Sequence, residues 1–230
     1  MFVPLHDSTP LKVIRFQHVT IFIIAINVLV YLVTGAFTSE NALMAYASGF
    51  GLVPGELTGS VAPYMGYDPV PEPLTLITYQ FLHAGWMHLI SNMLFLWVFA
   101  DNVEDAYGHV AFVMLYLLSG VIGGLAHVLF TPGSPEPLIG ASGAVSGIIG
   151  AYVVLYPKAR VWILLFMRIP IRIGAAWVLG GWFLLQLISL FAAREDGVSV
   201  AWLAHIGGFL TGFGLTWAIR RRLLIQIGDS

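Results

Sequence analysis

The sequence predicts an all-α membrane protein, a bundle of six transmembrane helices with a long interfacial loop between the first two. Composition is the first ground: the 230 residues are 58% hydrophobic and only 10% charged, where a soluble domain is about 25% charged. Mean hydropathy is +0.86. Six apolar segments of near-spanning length are the second, since a spanning helix needs about 20 mostly apolar residues. The third is the basic residues, which fall almost entirely on one side of those segments.

Residues 1–16 form a short cytoplasmic segment with Pro4, His6, Asp7, Pro10, Lys12 and Arg15. The first helix covers about 17–34. No small-residue cleavage site follows it, so it reads as a retained helix rather than a removed signal peptide. Gly35 to Gln80 carries Pro54, Pro63, Pro69, Pro71 and Pro73. Its apolar stretches are too short to span, which predicts an irregular interfacial loop with short helices. The remaining helices are expected at 81–100, 109–130, 142–156, 173–193 and 201–220. The whole chain, 1–230, reads as one domain without internal repeats.

With the N-terminus inside, Lys12, Arg15, Lys158, Arg160, Arg168, Arg172 and Arg220 to Arg222 are cytoplasmic, and only Arg194 lies outside. This is a positive-inside pattern. It puts both termini in the cytoplasm and the loop, Ser142 and His205 toward the outer face. The fourth helix is short: about fifteen residues rise only about 22 Å against a hydrocarbon core of about 30 Å. It therefore starts below the surface, and the segment Thr131 to Ala141 dips in to meet it. Irregular backbone at that depth needs protein or a wet cavity beside it.

Ser142 opens that helix in the run Gly140-Ala141-Ser142-Gly143. A serine hydroxyl is a weak nucleophile until a base activates it. At a helix N-terminus it sits beside free N–H groups suited to an oxyanion. A serine there is equally at home as an N-cap. Ser146, one turn on, reads as a packing residue. His205 is the best base: it lies about one turn into the sixth helix, above the small-residue face Gly208 and Gly212. The fourth helix offers a matching face in Gly143, Gly147 and Gly150, and two such faces let backbones approach closely. His127 is the rival base. His88 and Asn92, spaced i, i+4, share a helix face and are candidates for the oxyanion hole, although on their own interhelical hydrogen bonding explains them better. His83 reads as structural, tying the long loop to the second helix. His6, His18 and His109 read as solvated at the cytoplasmic side. Asp101, Glu104 and Asp105 lie at the membrane side opposite Ser142, so an acidic triad member is not visible.

The absence of cysteine excludes disulfides and thiol chemistry. No metal-binding motif and no phosphate-binding motif occurs, so no metal and no cofactor is expected. A net charge of −2 gives no bulk attraction to nucleic acid.

Four segments together resemble the rhomboid family of intramembrane serine proteases. They are His83-Ala-Gly-Trp-Met-His88-Leu-Ile-Ser-Asn92, then Glu104-Asp-Ala-Tyr-Gly108, then Gly140-Ala-Ser142-Gly143, and last Ala204-His205-Ile-Gly-Gly208-Phe-Leu-Thr-Gly212. The resemblance covers nearly everything from the first helix to the sixth. It implies Ser142 as nucleophile, His205 as base, His88 and Asn92 as oxyanion-hole side chains, and Glu104 and Gly108 as a structural loop motif. It implies single-span membrane proteins as substrates, cleaved near the outer face, with the fifth helix as a lateral gate. Two departures stand out. Some members stack an aromatic on the base histidine from the position held here by Ser146, and some carry Trp-Arg where this chain has Leu74-Thr75. Relatives without activity lack the serine or the histidine, and this chain keeps both. The alternatives are a small transporter or channel and a non-catalytic scaffold for membrane helices. Without an organellar targeting segment, a bacterial plasma membrane is the expected location, with lipid as the surrounding partner. The sequence sets no oligomeric state.

Overall fold

Helix follows the apolar runs closely at 18–34, 109–130 and 142–155 and departs from them at 86–107 and at the C-terminal end. The structure is a computed structural model that describes residues 2–64, 69–166, 168–192 and 202–228. Strand β1 (Phe2–Asp7) precedes α1 (His18–Thr34). The long loop then folds into α2 (Glu40–Phe50), α3 (Pro54–Leu57), α4 (Glu72–Thr78) and a 3₁₀ turn (Tyr79–Phe81). After it come α5 (Trp86–Tyr107), α6 (His109–Phe130), α7 (Ser142–Leu155), β2 (Arg160–Leu165), β3 (Ile169–Gly174), α8 (Ala175–Ala192) and α9 (Trp202–Gln226). The expected helix ends at 193 and 201, and Arg194, lie outside the described residues.

By length and composition α6 and α9 each suffice to cross a membrane. The segment Glu72–Phe81 and α5 qualify as one broken span bent by 83°, and α1, α7 and Ala175–Phe191 are shorter apolar helices. The chain is a helical integral membrane protein, as its composition predicts.

Three expectations need correcting. The second long helix begins at Trp86, not near 81. The apolar run continues through Phe81 and Leu82, but Leu82 is extended and Gly85 is the N-cap, so hydropathy alone hides the break. The same helix runs on to Tyr107 instead of ending near 100. Asn102, Glu104 and Asp105 are buried with hydrogen-bond partners there, so polar residues that read as a loop belong to its last two turns. Likewise α9 carries Arg220 to Arg222 within the helix and ends at Gln226.

A three-stranded antiparallel sheet, in order β1-β2-β3, is an addition to the expected helices. In β2 the burial alternates, with Val161 and Ile163 inside and Arg160 and Trp162 outside, which is the period of a half-buried strand. The N-terminal segment is therefore a strand and not a loose tail. Beyond β1 the chain is strapped to α5, where the Asp105 carboxylate accepts the N–H groups of Lys12, Val13 and Ile14 at 2.7–2.8 Å.

Helix α7 forms the centre. Gly143 to Tyr152 are buried without a gap. Its glycine face meets the glycine face of α9: a β-carbon at Gly208 would overlap the Gly143 carbonyl, and one at Gly212 the Gly147 carbonyl. Helix α6 closes on the same line through Gly123, where a β-carbon would lie 2.6 Å from the Ala204 carbonyl. Close backbone approach of this kind replaces the hydrophobic drive that lipid removes.

The segment before α7 finds its backbone partners in the long loop. Leu52 and Leu138 exchange hydrogen bonds at 3.0 and 2.8 Å, and the Gly140 N–H donates to the Tyr79 carbonyl at 2.9 Å. The Tyr79 hydroxyl donates in turn to the Gly120 carbonyl of α6 at 2.7 Å. The irregular backbone around residue 140 is thus satisfied by protein, as burial requires.

Candidate active site

Ser142 is the first residue of α7, and Ala141 holds the N-cap position. The serine does not cap the helix. Its Oγ lies 2.7 Å from His205 Nε2. His205 stands in the first turn of α9, and the fused glycine faces one turn below, Gly143 on Gly208, bring the two backbones within reach. Ser146 is buried and donates to the Ser142 carbonyl at 2.6 Å, a packing residue as expected. His127 is buried on α6 with Nδ1 unpartnered among the described residues, and the Ser142 contact goes to His205.

The far side of the imidazole is also held. His205 Nδ1 lies 2.9 Å from Gln186 Oε1 of α8. The Trp182 ring sits 6.2 Å from the His205 ring at 32°, and Trp202 meets it edge-on at 5.9 Å and 82°. The aromatic support that Ser146 does not supply comes from α8 and from the start of α9. Sequence reasoning missed all three residues. Gln186 left a readable signal, because an amide inside an apolar span is a functional-site hypothesis by default.

His88 and Asn92 lie on the first two turns of α5. The His88 ring fills the space beside Gly140: a β-carbon there would come within 2.6 Å of His88 Nε2 and 3.8 Å of Ser142 Oγ. Gly140 has φ +125°, a conformation that glycine adopts without strain. Asn92 is buried and donates an amide N–H to the His88 carbonyl at 3.0 Å. His83 is fully buried in the link before α5 and packs edge-on against His88 at 5.0 Å. Both its ring nitrogens are unpartnered among the described residues.

Glu104 is not in a loop. It lies in the last turn of α5 at 0% exposure and accepts from Val19 N–H, Thr20 N–H and the Thr20 hydroxyl at 2.6–3.0 Å. These donors belong to the first turn of α1, which a helix cannot satisfy internally. His109 Nδ1 lies 2.6 Å from the same carboxylate, so His109 is bound as well as half-exposed, where full solvation was expected. Gly108 makes the reversal into α6 at φ +72°, with its N–H on the Glu104 carbonyl at 2.7 Å. From His88 to Glu104 is about 24 Å of helix, so this polar joint is separate from the Ser142 site. Among the described residues no group of three or more His, Asp or Glu side chains is placed to hold a metal ion.

The fold and site define a class: a helical integral membrane protein that places a serine hydroxyl on an imidazole between closely packed helices. The model of the rhomboid domain matches residues 71–222, and the chain belongs to the rhomboid family. It is 29% identical to Rhomboid protein 1, mitochondrial, of Saccharomyces cerevisiae over 163 residues, 67% of this chain and 44% of that protein. It is 34% identical to RHOMBOID-like protein 6, mitochondrial, of Arabidopsis thaliana over 151 residues, 63% of this chain and 43% of that protein. With Rhomboid protease GluP of Bacillus subtilis it shares 35% identity over 141 residues, 60% of this chain and 24% of that protein. The chain thus spans less than half the length of these relatives.

Proposed function

We propose that this chain is an intramembrane serine endopeptidase that works by a Ser142–His205 pair. The observation that carries the reading is the 2.7 Å contact between His205 Nε2 and Ser142 Oγ, made by residues 63 positions apart. His205 takes the proton from Ser142 as Oγ attacks the scissile carbonyl carbon. In this reading His88, Asn92 and the backbone N–H groups at the start of α7 stabilise the charge that develops on the carbonyl oxygen. The amine leaves with the proton from His205, and water then hydrolyses the acyl-enzyme.

The substrates in this reading are single-span membrane proteins. A peptide bond in a regular helix is shielded, so small or helix-destabilising residues near the cut favour cleavage. Helices α1, α5, α6, α7, α8 and α9 are the six spans. The positive-inside bias puts β1 and the end of α9 in the cytoplasm and Ser142 toward the outer face, the orientation expected in a bacterial plasma membrane. Similarity to a protein named as a rhomboid protease supports the same reaction class. A fluorophosphonate probe on the purified protein in lipid tests the reading. Labelling of wild type that disappears in Ser142→Ala and in His205→Ala is the expected result, and an unlabelled wild type overturns it.

A further inference from the structure

Gln186 sits in an apolar helix with its flanks turned outward: Leu184, Leu185 and Ile188 are each more than half exposed, while Gln186 is only 6% exposed. Burying an amide without a partner costs about 2–7 kcal/mol. The partner here is His205 Nδ1, 2.9 Å from Gln186 Oε1. Trp182, one turn earlier on α8, lies beside the same imidazole. The two share a helix face, and that face is applied to His205.

We infer that Gln186 is a positioning residue that selects the His205 tautomer needed for reaction. An amide oxygen only accepts hydrogen bonds, so the proton must be on Nδ1. Nε2 is then the bare nitrogen, and it is Nε2 that faces Ser142 Oγ. In the opposite tautomer an Nε2–H would meet the serine oxygen, and no lone pair would be free to take its proton. Through the reaction the Nδ1 proton stays in place, shared with Gln186. The serine proton moves to Nε2 as the Oγ–C bond forms and leaves with the amine as the C–N bond breaks. Because the amide is neutral, it orients the ring without adding a second charge to an apolar site, where an ionised carboxylate is costly.

The kinetic side of this inference rests on the protease reading; the tautomer does not. Histidine-specific ¹⁵N labelling, with the His205 signals assigned by difference from His205→Ala, reads the tautomer directly. The expected result is a protonated Nδ1 and a bare Nε2 in wild type, with that preference lost in Gln186→Leu. Fluorophosphonate labelling of Ser142 should slow about tenfold or more in Gln186→Leu, with KM for a cleaved substrate nearly unchanged. Gln186→Glu, which restores an acceptor beside Nδ1, should keep the protonated Nδ1 and the wild-type labelling rate. A wild type carrying the proton on Nε2, with the Gln186 amide N–H turned toward Nδ1, overturns the inference. So does a tautomer preference that survives unchanged in Gln186→Leu. A wild type with the expected tautomer but no labelling overturns the protease reading alone.

Discussion

Gly208 of α9 lies so close to the Gly143 carbonyl of α7 that a β-carbon at 208 has no room. Ser142 and His205 are the neighbours of this contact, one residue before Gly143 and three before Gly208. Their 2.7 Å contact is a consequence of how near the two backbones run.

Gly208→Ala should therefore separate α7 from α9. Overpacking a well-filled site costs about 1–3 kcal/mol, and the displacement acts directly on the Ser142–His205 distance. We expect a lower melting temperature in detergent and the loss of most fluorophosphonate labelling. Gly181→Ala on α8, where a β-carbon meets nothing within 4 Å, is the control and should label as wild type.

On the proposed protease reading, in which Asn92 is an oxyanion donor, Asn92→Ala should lower kcat about 10²–10³-fold, with little change in KM. Cleavage kinetics on a reconstituted single-span substrate measure this. A drop in KM-dependent binding with kcat intact would assign Asn92 to packing against the His88 carbonyl instead.

Gly140→Ala is expected to be more damaging than its size suggests. The residue sits at φ +125° and its new methyl would meet the His88 ring. The strain displaces the backbone before Ser142 and the overlap displaces His88, so on the protease reading cleavage should fall. A companion His88→Ala in the Gly140→Ala background should lower it little further, the non-additivity expected of neighbours.

Glu104→Ala removes a fully buried acceptor of the part-buried Val19 N–H, the two buried Thr20 donors and the half-exposed His109 ring. Each buried donor left without a partner costs about 1–3 kcal/mol, so several kcal/mol should be lost and α1 should detach first. Thermal denaturation measures the loss. Hydrogen exchange should locate it at Val19 and Thr20.

Asp105→Ala releases the strap at Lys12 to Ile14. These N–H groups are near solvent, so the cost should be about 1–2 kcal/mol. Limited proteolysis should cut the N-terminal segment faster. Ser142 labelling should stay as in wild type, since Asp105 is at the opposite end of α5.

Helix α6 was legible to within a residue because its apolar run, Val110 to Phe130, all but coincides with the helix. The Ser142–His205 contact and the glycine faces beside it were legible too: polar and small residues in apolar spans have few other reasons to be there. The break at 82–85 was not, because hydropathy averages over a window and Leu82 is apolar in either conformation. Strand β2 was hidden for a similar reason, being six residues long and paired with a strand more than 150 positions away.

By itself the sequence determined that this is a helical membrane protein of the rhomboid family, and which serine and histidine to set together. Only the tertiary structure decided what surrounds them. Gln186, Trp182 and Trp202 converge on His205 from α8 and α9, and Glu104 caps a helix 84 positions away. The reason is physical. Hydropathy and spacing report the average environment of a segment, whereas a buried polar group is satisfied by one partner, and which partner that is depends on how the helices pack.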